Sequence, residues 1–482
     1  MKGLVWFRRD LRLRDNPALS AACKECREIV PLFVFDEPLL RSHVFGSTSV
    51  SFMLGCLEEL RRSLAEHGVT LAWRIGEPIE TVVRTATELA ADAIYWNRDY
   101  EPAALERDRT VQQRLAQQGR TVRTFKDHVV FEAEEVRGLT GEPFQRYSAY
   151  RDRWWTKWRT AAPPLLAMPK FEPTKTTAPG LNSPAWPLAT DLGYQPGPLG
   201  IEPGEKAAHG RLQWFLRGPV HDYVNGRNLP AIDGTSKLSP HLRFGTISAR
   251  TAIHAALNVL SKGGPVSRAD VFTWIGELVW REFFQQVLTA FPRVAEGPFK
   301  TKPGLPASRS AGPERDRLFT AWCHGRTGYP IVDAGMRQLN QTGWMHNRVR
   351  MVVASFLVKD LRIDWQSGER YFMQQLVDGD LAANNGNWQW CASTGTDAMQ
   401  GYRIFNPRIQ SEKFDRDGEY IRRYVPELVG VPAKWVHEPH LMPPEDQDRS
   451  GCRIGSEYPA PVVDHRQARQ EYVDLGKQQV AT

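Results

Sequence analysis

The sequence predicts an α/β domain at the amino terminus followed by a large all-α domain. In the first 130 residues, short apolar runs alternate with segments of helical periodicity, which is the order expected for a parallel sheet covered by helices. From about residue 204 onward, strand-like alternation nearly vanishes and the 3.6-residue period of helices dominates. A stretch rich in Pro, Gly, Ser and Thr lies between these parts and predicts a connector.

Four apolar runs predict the strands of the first domain, at residues 3–7, 29–35, 69–75 and 93–97. Since helical segments separate them, we expect a doubly wound, Rossmann-like parallel sheet within residues 1–130. The pattern G-x-G-x-x-G does not follow the first run, so an ordinary dinucleotide site is not predicted there. Such sheets nevertheless bind ligands at the carboxyl ends of their strands.

The remaining chain is divided by composition. Residues 131–203 are interpreted as the linker between the domains, and its Pro-rich part lies at 165–203. Residues 204–482 are expected to form the helical domain, with helices predicted at 249–260, 272–291 and 329–361.

Composition narrows the class of protein. The chain of 482 residues carries 62 Lys and Arg against 55 Asp and Glu, and its net charge of +7 permits a polyanionic partner without requiring one. Its apolar runs are too short to span a bilayer and its first residues become charged too early for a signal peptide, so we expect a cytoplasmic protein. The six cysteines are scattered, and the CxxC pair Cys23 and Cys26 lacks a second ligand pair, so no metal site is predicted.

Two stretches of the helical part combine polar side chains with helix signals. DGTSKLSPHLRFG (233–245) predicts either a phosphate cradle or, equally, a plain helix start with Ser239 as N-cap and Pro240 at the first helical position. In WIGELVWREFF, Glu277 and Trp280 are three residues apart on one helical face. The alternative to a functional role for this acid is an ion pair with an arginine such as Arg281 or Arg350.

Two further stretches carry amides among aromatic or sulfur-containing side chains. Asn347, Arg350 and Met351 recur at i, i+3 and i+4, and the alternative there is a satisfied core network. The stretch DGDLAANNGNWQWCASTGTD (378–397) contains too many polar groups for a pure core segment. Its alternative is a buried amide ladder under two core aromatics, formed by Asn384, Asn385, Asn387, Trp388 and Trp390. Four such faces in one domain favour a functional site.

These motifs resemble the photolyase/cryptochrome flavoproteins, and most closely the class I cyclobutane pyrimidine dimer photolyases. The similar segments include GELVWREFF, TGWMHNRVRM, the stretch 378–397 and RIFNPRIQSEKFDRDGEYIRRYVPEL, and the resemblance runs from LVWFRRDLRLRDNPAL to YPAPVVDH. It implies an amino-terminal domain for a light-harvesting antenna, a long linker, and a helical domain that binds FAD in a U-shape.

The resemblance also implies roles for individual residues. Asn384 is expected to face flavin N5, Arg350 and Asp378 to pair beside the ring, and Asp380 to lie at the ring edge. The phosphates and ribitol are expected to contact Tyr223, Thr235, Ser236, Lys237, Leu238 and Ser239. Glu277 and Asn347 would hydrogen-bond a pyrimidine dimer, while Trp280, Trp390 and Met351 would pack against it. Backbone phosphates of DNA would contact Arg227, Arg348 and Arg403.

The implied activity is light-driven DNA repair, in which excited, reduced FAD splits cyclobutane pyrimidine dimers by electron transfer. The enzyme class is a carbon–carbon lyase, and a monomer is expected. Relatives that repair (6-4) photoproducts carry histidines at the positions of Asn347 and Met351, and plant cryptochromes usually carry Asp at that of Asn384. These differences favour dimer repair over the alternative, a blue-light photoreceptor cryptochrome with little repair activity.

Two departures from the family pattern concern accessory groups. Trp388 and Trp365 match the inner two members of an electron-relay triad, but no tryptophan lies about ten residues before Trp322, where the outer member belongs. We hypothesise that photoreduction of the oxidised flavin is slow or uses another exit, such as Trp322 or Trp344, while repair with pre-reduced flavin is intact. Ala104 and the loop FPRVAEGPFKTK lack the acid and the Cys-Lys pair of folate-binding relatives, which weakens a folate antenna and leaves a deazaflavin or no antenna open.

Overall fold

A computed structural model describes residues 1–171, 185–261, 266–301, 305–398 and 403–481. The chain divides into two compact units. Unit 1 comprises Met1–His221, Ser236–Pro292 and Val377–Ala382, and unit 2 comprises Asp222–Thr235, Arg293–Leu376 and Ala383–Thr482. The domain boundaries drawn from composition remain a prediction, and residues 172–184 of the predicted linker lie outside the described residues.

The amino-terminal sheet has five parallel strands in the order β3-β2-β1-β4-β5. Their bounds are β1 Lys2–Phe7, β2 Glu28–Asp36, β3 Ala72–Gly76, β4 Ala93–Asn97 and β5 Thr121–Phe125. The central strands read as continuous apolar runs because helices cover both faces of such a sheet. The predicted doubly wound α/β fold is therefore confirmed.

Two strand predictions differ from the structure. The third strand starts at Ala72 rather than Val69, because the amide of Val69 donates to the Leu64 carbonyl and closes the end of the preceding helix. The fifth strand, Thr121–Phe125, was not predicted. It lies at the sheet edge with partly exposed residues, so its apolar alternation is weak.

Helices make up most of the remaining described structure. The α-helices are α1 Pro17–Glu25, α2 Glu37–Arg41, α3 Ser47–Ala65, α4 Pro78–Glu88, α5 Pro102–Gln117, α6 Tyr147–Ala161, α7 Glu205–Arg217, α8 Tyr223–Gly226, α9 Ser239–Phe244, α10 Ala249–Ser261, α11 Arg268–Ala290, α12 Pro313–Cys323, α13 Pro330–Thr342, α14 Asn347–Ser355, α15 Trp365–Gln375, α16 Leu381–Ala392, α17 Pro407–Phe414, α18 Glu419–Tyr424, α19 Pro444–Ser450 and α20 His465–Ala481. Among the described residues after 204, extended pairing is limited to one isolated bridge, between Ile454 and Tyr458. The predicted all-α character of this part is confirmed.

The long helix predicted at 329–361 is interrupted. Helix α13 ends at Thr342, and its C-cap Gly343, with φ of +68°, closes the helix in the left-handed conformation. Helix α14 starts after His346, whose side chain accepts a hydrogen bond from the amide of Arg348, and a π-helical turn, Phe356–Asp360, follows it. The structure also contains a helix that was not predicted, α6, inside the segment 131–203 that was interpreted as a linker.

Three observations bear on the class of protein. The six cysteines are all free thiols. Within the described ranges, no group of His, Cys, Asp and Glu side chains is arranged to hold a metal ion. No helix in the described part of the chain is both long and apolar enough to cross a bilayer.

A buried carboxylate joins three segments of unit 1. Glu282, on α11, accepts hydrogen bonds from the amide of Phe131 at 3.2 Å, Trp154 Nε1 at 2.7 Å and the Tyr150 hydroxyl at 3.2 Å. The amide of Val130 is a fourth donor. Because these donors come from the 130–131 turn and from α6, the Glu282 side chain holds both against α11.

We expect Glu282→Ala to lower the free energy of unfolding by about 3 kcal/mol or more, because it leaves buried donors without an acceptor. Urea unfolding followed by circular dichroism measures this loss. Glu88→Ala, which removes an exposed carboxylate of α4 that pairs with Arg84, is the control and should leave stability nearly unchanged. Equal effects of the two substitutions would contradict the inferred role of Glu282 in holding α6 and the 130–131 turn against α11.

Candidate active site

Helix α11 of unit 1 presents Glu277 and Trp280 one turn apart, as the spacing predicted. Both side chains are half-buried. The Trp280 ring stacks on Tyr147 with a centroid distance of 3.5 Å and an interplanar angle of 10°. The Tyr147 hydroxyl donates to the Gly276 carbonyl at 2.8 Å, so α6 and α11 together fix the orientation of Trp280. Arg281, the nearest predicted ion-pair partner for Glu277, donates to the His128 carbonyl at 2.8 Å.

Asp380 lies in a buried polar network of unit 1. Its carboxylate pairs with the Arg9 guanidinium and accepts a hydrogen bond from Gln285 Nε2 at 3.2 Å. Arg9 also donates to Glu101 at 2.7 Å and to Asp99 at 3.2 Å. A buried carboxylate stays ionised at low cost only when it is paired in this way, so Asp380 is held as a fixed acceptor.

A neutral histidine adjoins this network. His128 Nε2 lies 3.9 Å from Asp380 Oδ2, and the Arg281 guanidinium is within hydrogen-bond distance of the His128 ring. Burial, together with the positive charges of Arg281 and Arg9, holds the pKa of His128 well below its usual value. The ring is therefore uncharged at neutral pH and does not compete with Arg9 for the carboxylate.

Residues 236–239 of unit 1 correct the helix start that was predicted with Ser239 as N-cap. Helix α9 begins at Ser239, so Leu238 is the N-cap and its apolar side chain cannot cap the helix. Leu238 is buried, which sets the helix start one residue earlier than predicted. Lys237 adopts a left-handed backbone with φ of +50°, and Arg211 Nε donates to the Ser236 carbonyl at 2.9 Å. Ser239 itself is exposed.

Two further residues predicted to contact the phosphates and ribitol, Tyr223 and Thr235, belong to unit 2. Tyr223 is buried in the short helix α8, and the Arg227 guanidinium lies 5.6 Å from the centre of its ring. The backbone of Gly234 packs closely against Gly226, since a Cβ at Gly234 would lie 2.7 Å from the Gly226 carbonyl oxygen. Only glycine allows this approach, which brings the start of the 233–239 segment against α8.

Helix α14 exposes the predicted polar face in unit 2. Asn347 is exposed, so the alternative of a satisfied core network is wrong for this residue. Arg350 and Met351 are half-buried, and Arg350 Nε donates to the Met345 carbonyl at 2.8 Å. The exposure of Asn347 leaves its amide accessible to a ligand.

Arg348 connects several predicted residues of unit 2. Its guanidinium donates to Asn228 Oδ1 at 2.7 Å, contacts Met351 Sδ at 3.8 Å and lies 4.5 Å above the Phe414 ring. Because Asn228 follows Arg227 directly, these contacts bring both arginines and Met351 into one surface region. Arg403 is exposed, and its guanidinium lies 5.9 Å from the Phe405 ring centre.

Helix α16 separates the asparagines of the 378–397 stretch. Asn384 is buried and donates to the Glu369 carbonyl at 3.0 Å. Asn385 donates to the Glu369 side chain at 2.9 Å and accepts from Gln389 Nε2 at 2.8 Å, so the amide ladder exists at this residue. Asn387 is exposed, so the ladder alternative is wrong there.

The two tryptophans of α16 differ in burial. Trp388 is buried and Trp390 is half-buried against the core of unit 2. The Trp388 ring lies 5.0 Å from Phe372 and 6.2 Å from Trp322. A Cβ at Gly368 would lie 2.2 Å from the Trp388 ring, so this glycine of α15, one turn after the buried Trp365, permits the close packing.

Comparison with known proteins identifies the family. Residues 3–170 match the family model described as DNA photolyase, and residues 274–478 match the model described as FAD binding domain of DNA photolyase. A relative from Synechococcus sp., named deoxyribodipyrimidine photo-lyase, is 40% identical over 98% of this chain and 96% of its own length. The chain belongs to the photolyase/cryptochrome family.

Solved photolyase-family structures share the fold over the full chain. A bacterial class III photolyase from Agrobacterium tumefaciens is 36% identical with a TM-score of 0.88, covering 100% of this chain and 98% of its own. A cryptochrome from Synechocystis sp. is 28% identical with a TM-score of 0.88, covering 98% of this chain and 99% of its own. The assignment to class I within the photolyases remains a prediction.

The residues present fit the FAD-binding domain that the family match indicates. The hydroxyl groups of Thr235 and Ser236 and the Lys237 ammonium are half-buried rather than packed into the core, which suits a phosphate-bearing group. The half-buried Asp378 and the buried Asp380 belong to unit 1, whereas Arg350 and Asn384 belong to unit 2. The predicted Arg350–Asp378 ion pair remains a prediction.

Several residues that support the photolyase site carried no signal in the sequence. Tyr147 stacks on Trp280, Arg9 pairs with Asp380, and Glu369 binds the amides of α16. Tyr147 and Arg9 lie far along the chain from their partners, and Glu369 lies 15 residues from Asn384 on a different helix, so none of these contacts follows a local spacing rule. The tertiary fold is needed to bring them together.

Glu369 gives unit 2 a pH-dependent stability. Burial raises the pKa of Glu369 to about 7, above its ordinary value of 4.5. The folded state therefore keeps a proton that the unfolded chain releases. The contribution of this proton to the free energy of unfolding is full below about pH 4.5 and is lost as the pH rises to about 7.

We expect Glu369→Gln, which keeps the acceptor for Asn385, to remove this dependence. Relative to the wild type, the variant should gain about 2 kcal/mol in the free energy of unfolding between pH 5 and pH 8. Urea unfolding at the two pH values measures the gain, and Glu88→Gln, at an exposed position of α4, is the control. Parallel pH profiles of Glu369→Gln and the wild type would contradict the prediction.

Proposed function

We propose that this protein is a photolyase that splits cyclobutane pyrimidine dimers in DNA under blue light. The full-length likeness to relatives named deoxyribodipyrimidine photo-lyase, at 40% identity, is the observation that carries the proposal. The exposed Asn347 and the oriented Trp280 support it, because a buried amide or a freely rotating ring would suit a substrate less well. A blue-light cryptochrome with little repair activity is the alternative.

The cofactor in this proposal is FAD. We propose that its phosphates and ribitol contact Tyr223, Thr235, Ser236, Lys237, Leu238 and Ser239, and that Arg350, Asp378, Asp380 and Asn384 surround its ring. When bound and reduced, FAD supplies the excited electron that breaks the cyclobutane bonds and recovers it afterward. Asp380, held by Arg9, gives this site a fixed hydrogen-bond acceptor, and Asn384 is oriented by its bond to the Glu369 carbonyl.

The chain's own residues bind and polarise the lesion. Glu277 and Asn347 are proposed to hydrogen-bond the dimer's carbonyl and amide groups, where negative charge develops after electron uptake. Trp280, Trp390 and Met351 are proposed to pack against it and exclude water. Stacking of about 1–3 kcal/mol per base would offset part of the cost of extruding a poorly stacked lesion.

The arginine region of unit 2 is proposed to contact the DNA backbone. Arg227 and Arg348 are oriented by Tyr223, Asn228 and Phe414, and Arg403 is exposed. Phosphate contacts of this kind make affinity fall with salt and position the duplex without reading its sequence.

The oligomeric state, compartment and antenna belong to the same proposal. We propose a cytoplasmic monomer, which light scattering and cell fractionation would test. We further propose that residues 1–130 carry any antenna chromophore, either folate or deazaflavin, and the fluorescence of the chromophore released on denaturation would identify it.

Glu277→Ala should weaken binding of an oligonucleotide with one thymine dimer about tenfold, because a hydrogen bond to the lesion is lost. It should also reduce light-dependent repair, because the charge that develops after electron uptake loses that hydrogen bond. The measurement uses anaerobically reduced protein, with a dark sample and intact DNA alongside. Glu106→Ala, on the exposed face of α5, is the matched control and should repair normally.

The outcomes separate the two candidate functions. Repair that is diminished in Glu277→Ala but not in Glu106→Ala supports the photolyase. Bound, reduced flavin without any restoration of thymines in the wild type would refute repair and favour the cryptochrome alternative. Unchanged repair in Glu277→Ala would refute the role of that residue alone.

The contacts of Trp322 support it as a route by which electrons reach the relay. The Trp322 ring lies 6.2 Å from Trp388 and 5.7 Å from Tyr371. Trp322 is fully buried and its Nε1 donates to the Val353 carbonyl at 3.0 Å. We propose that Trp388, Trp322 and the half-buried Tyr371 form the exit.

Trp322→Phe should therefore slow photoreduction of the oxidised flavin to a small fraction of the wild-type rate, while repair by chemically pre-reduced protein is retained. Tyr371→Phe should abolish the tyrosyl-radical absorbance after a laser flash, a readout independent of repair. Phe405→Leu, which removes an aromatic ring elsewhere in unit 2, is the control. Rapid photoreduction that survives loss of both the Trp322 and Trp344 side chains would contradict this route.

A further inference from the structure

Unit 2 contains a cavity that the proposed repair reaction does not use. Its volume is about 720 Å³, and it is lined by residues 307–315, which end in the first turn of α12, together with Arg362, Leu475 and Gln478. Sites for small organic ligands have volumes of roughly 300–1,000 Å³, so this cavity is large enough for a ligand of nucleotide size. It lies in the segment where the outer tryptophan of related photolyases is missing.

Positive charge dominates the cavity lining. Arg309, Arg315 and Arg362 contribute three guanidinium groups, and the one lining carboxylate, Glu314, pairs with Arg317 at 2.9 Å. Asp316, which is outside the lining, pairs with Arg315 at 2.9 Å and offsets part of its charge. Guanidinium groups bind phosphate through parallel hydrogen bonds, which makes clustered arginines a common recognition device for such groups. The cavity is therefore suited to a ligand with several negative charges.

The backbone holds two of these arginines next to each other. The amide of Arg309 donates to the Arg362 carbonyl at 2.7 Å, and Arg309 Nε donates to the Leu361 carbonyl at 2.9 Å. Burial and, secondly, repulsion by the positive charge of Arg309 lower the pKa of Arg362, an effect that the negative charge of Glu471 partly offsets. An anion between them would remove that repulsion.

Arg362 carries an unsatisfied donor. Its φ of +50° is the left-handed conformation that ends the Phe356–Asp360 turn, where the Ile363 amide donates to the Leu357 carbonyl. Its Nε is buried, and no group in the described part of the chain accepts a hydrogen bond from it. A buried donor without an acceptor costs free energy, which a bound ligand that accepts the hydrogen bond would recover.

The geometry points to a binding site for a small molecule that carries a diphosphate group. Arg309, Arg315 and Arg362 contact the phosphates, and the hydroxyls of Ser308 and Ser310 supply further donors. The aliphatic side chains of Ala307, Ala311, Pro313 and Leu475 offer an apolar surface to an organic part of the ligand. This site is separate from the residues proposed to hold FAD and does not depend on the repair activity.

Isothermal titration calorimetry of the full-length, FAD-saturated protein tests the proposal, with inorganic pyrophosphate, ADP and adenosine as probes. Saturation with FAD keeps the flavin site from binding ADP. We expect pyrophosphate and ADP to bind and adenosine to fail, because the recognised group is the diphosphate. Arg362→Gln should weaken binding at least about tenfold, since it removes hydrogen bonds to a charged group.

Arg315→Gln repeats the test at a second lining residue, in case Arg362→Gln does not fold. Arg469→Gln removes the same charge from an exposed position of α20 outside the lining and should bind like the wild type. Tighter binding of ADP than of pyrophosphate would show that the apolar lining is used. Absence of binding by both phosphate probes, or binding that neither lining variant weakens relative to Arg469→Gln, would overturn the proposal.

Discussion

Unit 1 depends on the pairing of charges that folding removes from water. The Arg9 guanidinium follows β1 and binds carboxylates from distant parts of the chain, Asp99 and Glu101 after β4 and Asp380 in the segment Val377–Ala382. An unpaired buried charge costs several kcal/mol, so the structure must bring these groups together. Arg243 adds a hydrogen bond to the Gly379 carbonyl at 2.6 Å. These polar contacts, together with the buried Val377, therefore hold the residues that precede α16.

Helix α16 then meets different requirements along its length. Its first turn begins in the charged network, and its amides must find acceptors once they are buried. Glu369 provides these acceptors to Asn384 and Asn385, while Gly368 makes room for the Trp388 ring. The unusual composition of the 378–397 stretch follows from this sequence of environments. Within unit 2, a helix with one uniform apolar face could not supply both the amide network and the tryptophan of the aromatic core.

Sequence patterns predicted what depends on local spacing. The buried strands β1 and β4, the helix α10 and the shared face of Glu277 and Trp280 all follow from hydrophobic period or from helical geometry. The exposed edge strand β5 was missed because it has little apolar alternation. The helix α6 was missed because the segment that contains it was interpreted as a linker from the composition of its Pro-rich part. The family resemblance implied roles for residues such as Asp380, but the Arg9–Asp380 contact joins positions 371 residues apart, and no local pattern encodes such a contact.

The arginine cavity and the proposed electron exit share helix α15. Arg315, which lines the cavity, donates to the Ser367 hydroxyl at 2.9 Å, and Tyr371 lies one turn further along the same face of the helix. A tryptophan that has given up an electron is positive, and nearby positive charge raises its energy. A tyrosyl radical is neutral once its phenolic proton is released to solvent, so the same charge disfavours it less. A tyrosine at the end of the proposed exit therefore suits a surface that also carries arginines better than a tryptophan would.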